Sequence, residues 1–397
     1  MPYSTDQVLL TLAGLAYRGF YDLLSGAAHG DAVQRALLDG LYTLPPVKDA
    51  WTLVWGPVTS RSGPDAFDSA AMYVVQSRTE PSRYVVVIRG TNPISASDWL
   101  FGDLWVSTVV PWPFARPSDN VAISASTALG LSKLQTMRSP RVALEPVAAP
   151  TLRAVARDAL EGQIARIAAG WQRLVQQPSA WAQDQINRLK GAVALPWMDV
   201  RPRSAPTTPD ETGLDLLTLL GDAARTAAGG LDVVVTGHSK GGALAPALAL
   251  WLKELLGPAA AEPWDGGRGT RVVCHAFASP TPGNAGFADR IDTVLGPDHH
   301  VLRNRLDMVT HAWQADELEA IPDLYAPRRT VMQAMIPSIV GRVKPLGYRH
   351  ARSGVISFEG QLDRQRSFEA EFVCQHLEAY LAELGLLEEV SPLALFF

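Results

Sequence analysis

The chain has 397 residues, 47% hydrophobic and 19% charged, with a net charge of −5. Such a length and apolar content can bury a large core, which excludes a disordered chain, and an acidic balance without a basic arm gives no electrostatic case for nucleic acid. The two cysteines, Cys274 and Cys374, are too few for a disulfide framework.

In chain order, Ser4 or Thr5 caps a first helix whose apolar positions include Val8, Leu9, Leu12, Leu15 and Ala16. The N-terminus lacks the basic region of a secretory signal, and no apolar run reaches membrane-spanning length. A cytoplasmic protein is the expectation, with signal-independent export as the alternative. Trp51 to Ser60, Met72 to Ser77 and Tyr84 to Arg89 read as strands, the last two joined by a turn over 78–83. Further strands are expected at Leu231 to Thr236, Arg271 to Phe277, His300 to Arg303 and Val355 to Phe358, mostly separated by helical patterns. This alternation predicts an α/β fold: a mixed, mostly parallel sheet flanked by helices, in one domain over 1–397.

One stretch, about 138–210, breaks the rhythm. It has no good strand, proline-rich flanks and apolar residues at helical spacing, among them Leu152, Val155, Leu160, Ile164 and Ile167. It reads as a helical insertion, either a cap over the substrate site or an amphipathic pair covering the sheet.

The segment Val233-Val-Val-Thr-Gly237-His-Ser239-Lys-Gly241-Gly242 places a serine between a buried strand and a helix expected over Ala243 to Leu256. A nucleophile elbow needs this arrangement, because a serine hydroxyl reacts only when it stands clear of the backbone, near a base and beside oxyanion donors. Gly237 and Gly241 fall where the turn forces strain and the helix passes close to the strand. An acid and then a histidine must follow at strand ends above the sheet. Asp307, just past the strand His300 to Arg303, is the best-placed acid. Among the later histidines, His376 follows the last strand at the start of a terminal helix, while His311, in the Asp307 loop, is its rival; His350 precedes a strand and should emerge at the opposite edge. The backbone N–H of Lys240 is one expected oxyanion donor, and Thr91, after Arg89-Gly90, is the candidate for the other.

These segments, with Asp98-Trp99-Leu-Phe-Gly-Asp103, Phe277-Ala-Ser-Pro-Thr-Pro-Gly-Asn284, Gly347-Tyr-Arg-His350 and His376-Leu-Glu-Ala-Tyr380, together resemble the class 3 lipase family of the α/β hydrolases. The resemblance covers about Met72 to Leu381 apart from the insertion. It implies an α/β-hydrolase fold, with Ser239 as nucleophile, Asp307 as orienting acid, His376 as general base and His350 non-catalytic. It further implies Thr91 as an oxyanion residue braced by Asp103, and a lid over Ser97 to Leu104 that exposes Trp99 to a lipid–water interface. Two departures stand out: Val121 to Leu131 lacks the histidine that the family usually carries after the lid, and the insertion is foreign to compact members.

The expected function is a serine hydrolase of lipid carboxylic esters, acting through an acyl-enzyme without metal or organic cofactor. A phospholipase exported to attack membranes is one alternative. A non-catalytic signalling or scaffold protein on the same fold is another, disfavoured by the full set of serine, acid and histidine.

Overall fold

A computed structural model describes residues 3–18, 29–60, 70–90, 104–139, 213–258, 260, 262–326 and 332–396. Thr91, Trp99, Asp103 and all of the insertion beyond Ser139 lie outside the described residues. The first helix, α1 (Thr5–Leu15), begins with a capping box: Gln7 N–H donates to Ser4 Oγ while the Gln7 side chain accepts from Ser4 N–H. A second helix, α2 (His29–Thr43), was not anticipated from the sequence.

Strands β1 (Trp51–Ser60), β2 (Ala70–Ser77) and β3 (Arg83–Arg89) form an antiparallel meander. Two short strands, β4 (Val109–Pro111) and β5 (Ala122–Ser124), pair separately, and Ser124 caps the next helix, α3 (Ala125–Thr136), by accepting from Thr127 N–H. The main sheet then continues in parallel from β3 through β6 (Asp232–His238), β7 (Arg271–Phe277), β8 (His299–Asn304) and β9 (Val355–Phe358), in the order β1-β2-β3-β6-β7-β8-β9. It is the mixed, mostly parallel sheet that the alternation predicts.

The continuous apolar runs of β3 and β6 follow from burial on both faces. Alternate residues enter different cores: Val86, Ile88, Val233 and Val235 join one, Val85, Val87 and Val234 the other. Leu244 and Leu248 of the helix after β6, α4 (Lys240–Glu254), close the first core. On the opposite face Leu9 and Leu12 of α1 meet Tyr380 and Leu381 near the C-terminus. Each fully buried valine or leucine contributes roughly 1.5–3 kcal/mol. Parallel pairing brings the carboxyl ends of β3, β6, β7 and β8 to one rim, where loops can assemble a site.

The insertion is fastened where it leaves the core. Ser139 and Leu214 exchange backbone hydrogen bonds of 3.1 and 2.8 Å, and Trp55 Nε1 donates to Leu214 O at 2.7 Å. Among the described residues, no helix is long and apolar enough to cross a membrane.

Candidate active site

β6 runs directly into α4 through Ser239, whose φ of 61° and ψ of −129° put a non-glycine residue in a costly region of backbone space. Such a conformation costs on the order of 1–3 kcal/mol and persists only where packing dictates it. Ser239 N–H is fixed on Phe277 O at 3.0 Å. The flanking glycines are required for close approach. A Cβ on Gly237 would lie 2.4 Å from Gly241 O, and one on Gly241 would lie 2.3 Å from Ile88 O. The strain therefore rests on the serine, while the glycines let α4 start against β3. For the same reason the helix begins at Lys240, three residues before the position expected from propensity.

At the end of β8, Asp307 is fully buried and caps a 3₁₀ turn over Met308–His311. Its Oδ1 accepts from Val309 N–H at 3.0 Å; its Oδ2 lies 2.9 Å from His376 Nδ1 and accepts from the Tyr380 hydroxyl at 3.0 Å. Three donors to one carboxylate offset the cost of burying its charge. Burial and the neighbouring Asp307 push the Tyr380 pKa well up, so its hydroxyl stays a donor. Asn304 joins the two loops. Its side-chain amide donates to Gln375 O at 2.9 Å, and its backbone N–H donates to the Tyr380 hydroxyl at 3.0 Å.

His376 does not head a terminal helix. The helical run starts at Phe368, capped by Ser367, and passes through a π-turn over Cys374–Glu378 that carries the histidine. Such turns recur where a helix must re-aim a side chain. The Phe372 ring stacks on the imidazole at a centroid distance of 5.7 Å and an interplanar angle of 8°. With Nδ1–H donated to Asp307, Nε2 is left as the basic nitrogen. Among the described residues His376 and Ser239 form no hydrogen bond with each other, although both are buried at the same rim. In substrate-free enzymes this contact is often long and closes on binding.

The rival histidines are committed elsewhere. His311 Nε2 meets Arg305 O at 2.9 Å, and His350 Nε2 meets Thr310 O at 2.8 Å. His350 thus reaches the Asp307 loop rather than the opposite edge, because the segment before β9 crosses the sheet end first. Burial lowers its pKa to about 4, which leaves a neutral ring whose Nε2–H is donated to a carbonyl.

Gly90, the last described residue after β3, lies against the elbow. A Cβ there would be 2.7 Å from His238 O and 3.1 Å from Lys240 N. Lys240 N–H is thus beside the end of β3. Tyr380, Asn304 and Tyr17 were not singled out from sequence; only Tyr380 left a signal, its spacing of four from His376. A cavity of about 340 Å³ bounded by Pro246, Ile291, Val301 and His350 includes none of Ser239, Asp307 or His376. Among the described residues no cluster of three or more potential ligands could hold a metal ion.

The family described as lipase (class 3) matches residues 216–317, which span the elbow and Asp307. Across 99% of this chain and 97% of the other, the structure resembles that of M37 lipase, with 26% identity and a TM-score of 0.72. Much weaker likenesses are to lipase II from Rhizopus niveus, at 15% identity over 79% and 77% of the two chains with a TM-score of 0.35, and to the Rhizomucor miehei triacylglyceride lipase, at 13% over 79% and 77% with 0.37. No curated protein sequence matches the chain. A strand–elbow–helix on a sheet of this order, a match to the class 3 lipase model over that segment and a fold like that of M37 lipase identify an α/β-hydrolase fold and a carboxylic ester hydrolase similar to the class 3 lipases.

Proposed function

We propose that the protein hydrolyses lipid esters of medium or long acyl chains, glycerides or phospholipids, through a triad of Ser239, His376 and Asp307. The observation that carries the reading is the 2.9 Å contact between Asp307 Oδ2 and His376 Nδ1 at the sheet rim where the elbow presents Ser239. His376 Nε2 takes the Ser239 proton as Oγ attacks the ester carbonyl, and Asp307 steadies the imidazolium. The tetrahedral oxyanion accepts from Lys240 N–H and from Thr91. His376 then gives the proton to the leaving alkoxide, an acyl-enzyme remains, and water activated by the same imidazole releases the acid.

In this reading Asp103 braces Thr91, and the segment around Trp99 forms a lid that meets the lipid–water interface. The test is hydrolysis of p-nitrophenyl esters across chain lengths by wild type and Ser239→Ala, with release assays on triglyceride and phospholipid. The expected loss for Ser239→Ala is at least about three orders of magnitude in kcat, because the triad acts as a unit. Turnover retained by a folded Ser239→Ala protein refutes the mechanism.

A further inference from the structure

His238, next to the nucleophile position, is wholly buried and sits among aromatic rings. Its centroid lies 4.6 Å from that of His376, 5.1 Å from Phe396 and 6.0 Å from Tyr17. Its Nε2 is 2.9 Å from His376 O, the backbone carbonyl of the proposed base. A carbonyl accepts only, so Nε2 carries the proton and Nδ1 is the acceptor, which faces the Tyr17 hydroxyl at 3.4 Å. That hydroxyl donates its one proton to His238 O at 3.1 Å, and it receives a backbone hydrogen bond from Gly90. A Cβ on Gly90 would come within 2.5 Å of the Tyr17 hydroxyl.

A continuous chain of contacts therefore runs from the loop after β3, through Tyr17 and the residue before Ser239, to the turn that carries His376. We propose that Tyr17 and His238 are positioning residues that bind these three segments into one unit, holding the base in reach of the nucleophile while it gains and loses a proton. The inference rests on the assignment of Ser239 and His376 given above.

Two features favour this role over plain packing. A π-turn disturbs the regular helical hydrogen-bond ladder, and His238 supplies an outside donor to a carbonyl within it. An apolar residue of similar size fills the space but leaves that carbonyl without this donor. Burial also holds His238 neutral, so no second cation opposes the imidazolium that forms at His376. Tyr17 reaches the site from the end of α1, which gives the N-terminal helix a task in the site as well as in the core.

The experiment compares Tyr17→Phe, His238→Leu and His238→Gln with wild type in kcat and KM for p-nitrophenyl esters, rate of fluorophosphonate labelling, and Tm. Gln places an amide N–H near the position of His Nε2, and Leu removes the donor. Misplacement by about 1 Å can cost about 100-fold, so His238→Leu is expected to lose about 10- to 100-fold in kcat. KM should change by less than about twofold, labelling should slow in parallel, and Gln should restore most of the loss. Tyr17→Phe should fall between Leu and wild type. Wild-type kcat in folded His238→Leu overturns the proposal, as does a loss that Gln does not rescue and that follows Tm alone. Should Leu fail to fold, wild-type kcat in Tyr17→Phe overturns it equally. An inactive Ser239→Ala beside a fully active His238→Leu removes only this inference; an active Ser239→Ala removes the triad itself.

Discussion

The Tyr380 hydroxyl donates to Asp307 Oδ2 at 3.0 Å, the oxygen that also faces His376 Nδ1 at 2.9 Å. Two donors on one oxygen, with Val309 N–H on the other, leave the carboxylate a single orientation, so the imidazole is held by a group that is itself fixed. Asp307→Asn keeps the shape but offers an amide where an acceptor is needed. It should cost about 10⁴ in kcat by favouring the wrong tautomer of His376. Tyr380→Phe leaves Asn304 N–H without its acceptor and Asp307 with one donor fewer. It should destabilise by about 2 kcal/mol in urea unfolding while kcat falls by less than about tenfold. An Asp307→Asn protein as active as wild type is incompatible with the orienting role.

The three histidines near this loop differ in what their Nε2 atoms meet. His311 and His350 each face a backbone carbonyl, whereas the Nδ1 of His376 is the ring nitrogen turned to the carboxylate. His376→Ala should lose at least about 10³ in kcat, and His311→Ala and His350→Ala should stay within about tenfold of wild type. Both of the latter give up a buried donor to a carbonyl, so each should lose about 1–3 kcal/mol of stability. Steady-state kinetics beside urea melts of the three variants checks this; near-normal kcat in folded His376→Ala hands the base to another residue.

Much of the scaffold was legible because its central strands are β-branched runs buried on both faces. Val85 to Ile88 and Val233 to Val235 admit little else, and β9 ends at the expected residues. Helix starts were less so. Propensity starts the helix at Ala243, yet α4 already passes through Gly241 and Gly242, because only glycine lets it lie against Ile88 O and Phe277 O. The π-turn at Cys374–Glu378 has no pattern of its own, so the sequence points to a helix start at His376 where the structure has it mid-run. Strand order points His350 to the opposite edge because it fixes where a strand begins but not how its approach winds, and the ring instead meets Thr310 O. Tyr17 and His238 could not be paired from sequence, since their meeting depends on how α1 lies under the sheet.

Acid should weaken the fold in a defined window. Burial lowers the pKa of His299 and of His350 to about 4, and that of His238 well below its ordinary 6.5. Once unfolded, each regains a value near 6.5 and takes up a proton that the folded chain refuses. Stability is therefore intact above about pH 6.5 and is lost as pH falls towards 4, where His299 and His350 begin to protonate in the fold. Each such group contributes about 1.4 kcal/mol per pH unit within the window, about 4 for the three. Glu254, its pKa raised by burial, works in the opposite sense as it protonates. Urea melts at pH 7.5, 6.0 and 5.0 should show this slope, and His350→Gln should reduce it by about 1.4 kcal/mol per unit. An unchanged slope in that variant denies His350 its share.

The stem of the insertion makes a prediction about the core without it. Ser139 and Leu214 are opposed as in a hairpin, Arg138 pairs with Asp215 at 3.5 Å, and Ser139 Oγ receives Gly56 N–H at 3.2 Å. Asp215 in turn caps the helix Leu216–Thr226 by accepting from Thr218 N–H at 2.8 Å. Gly56 N–H on Ser139 Oγ and Trp55 Nε1 on Leu214 O tie this paired stem to β1, so the chain departs and returns at one fixed point. A short Gly-Ser turn joining Ser139 to Gly213 can replace 140–212 without moving either end, and closure entropy changes only slowly with loop length. The shortened protein should fold, with a Tm within a few degrees of wild type, and should keep turnover of a short-chain p-nitrophenyl ester. Its ratio of long- to short-chain activity should change if the segment shapes the substrate site. A Tm lower by more than about 10 °C, equivalent to several kcal/mol in a chain of this size, would instead show that the segment covers apolar surface the core needs.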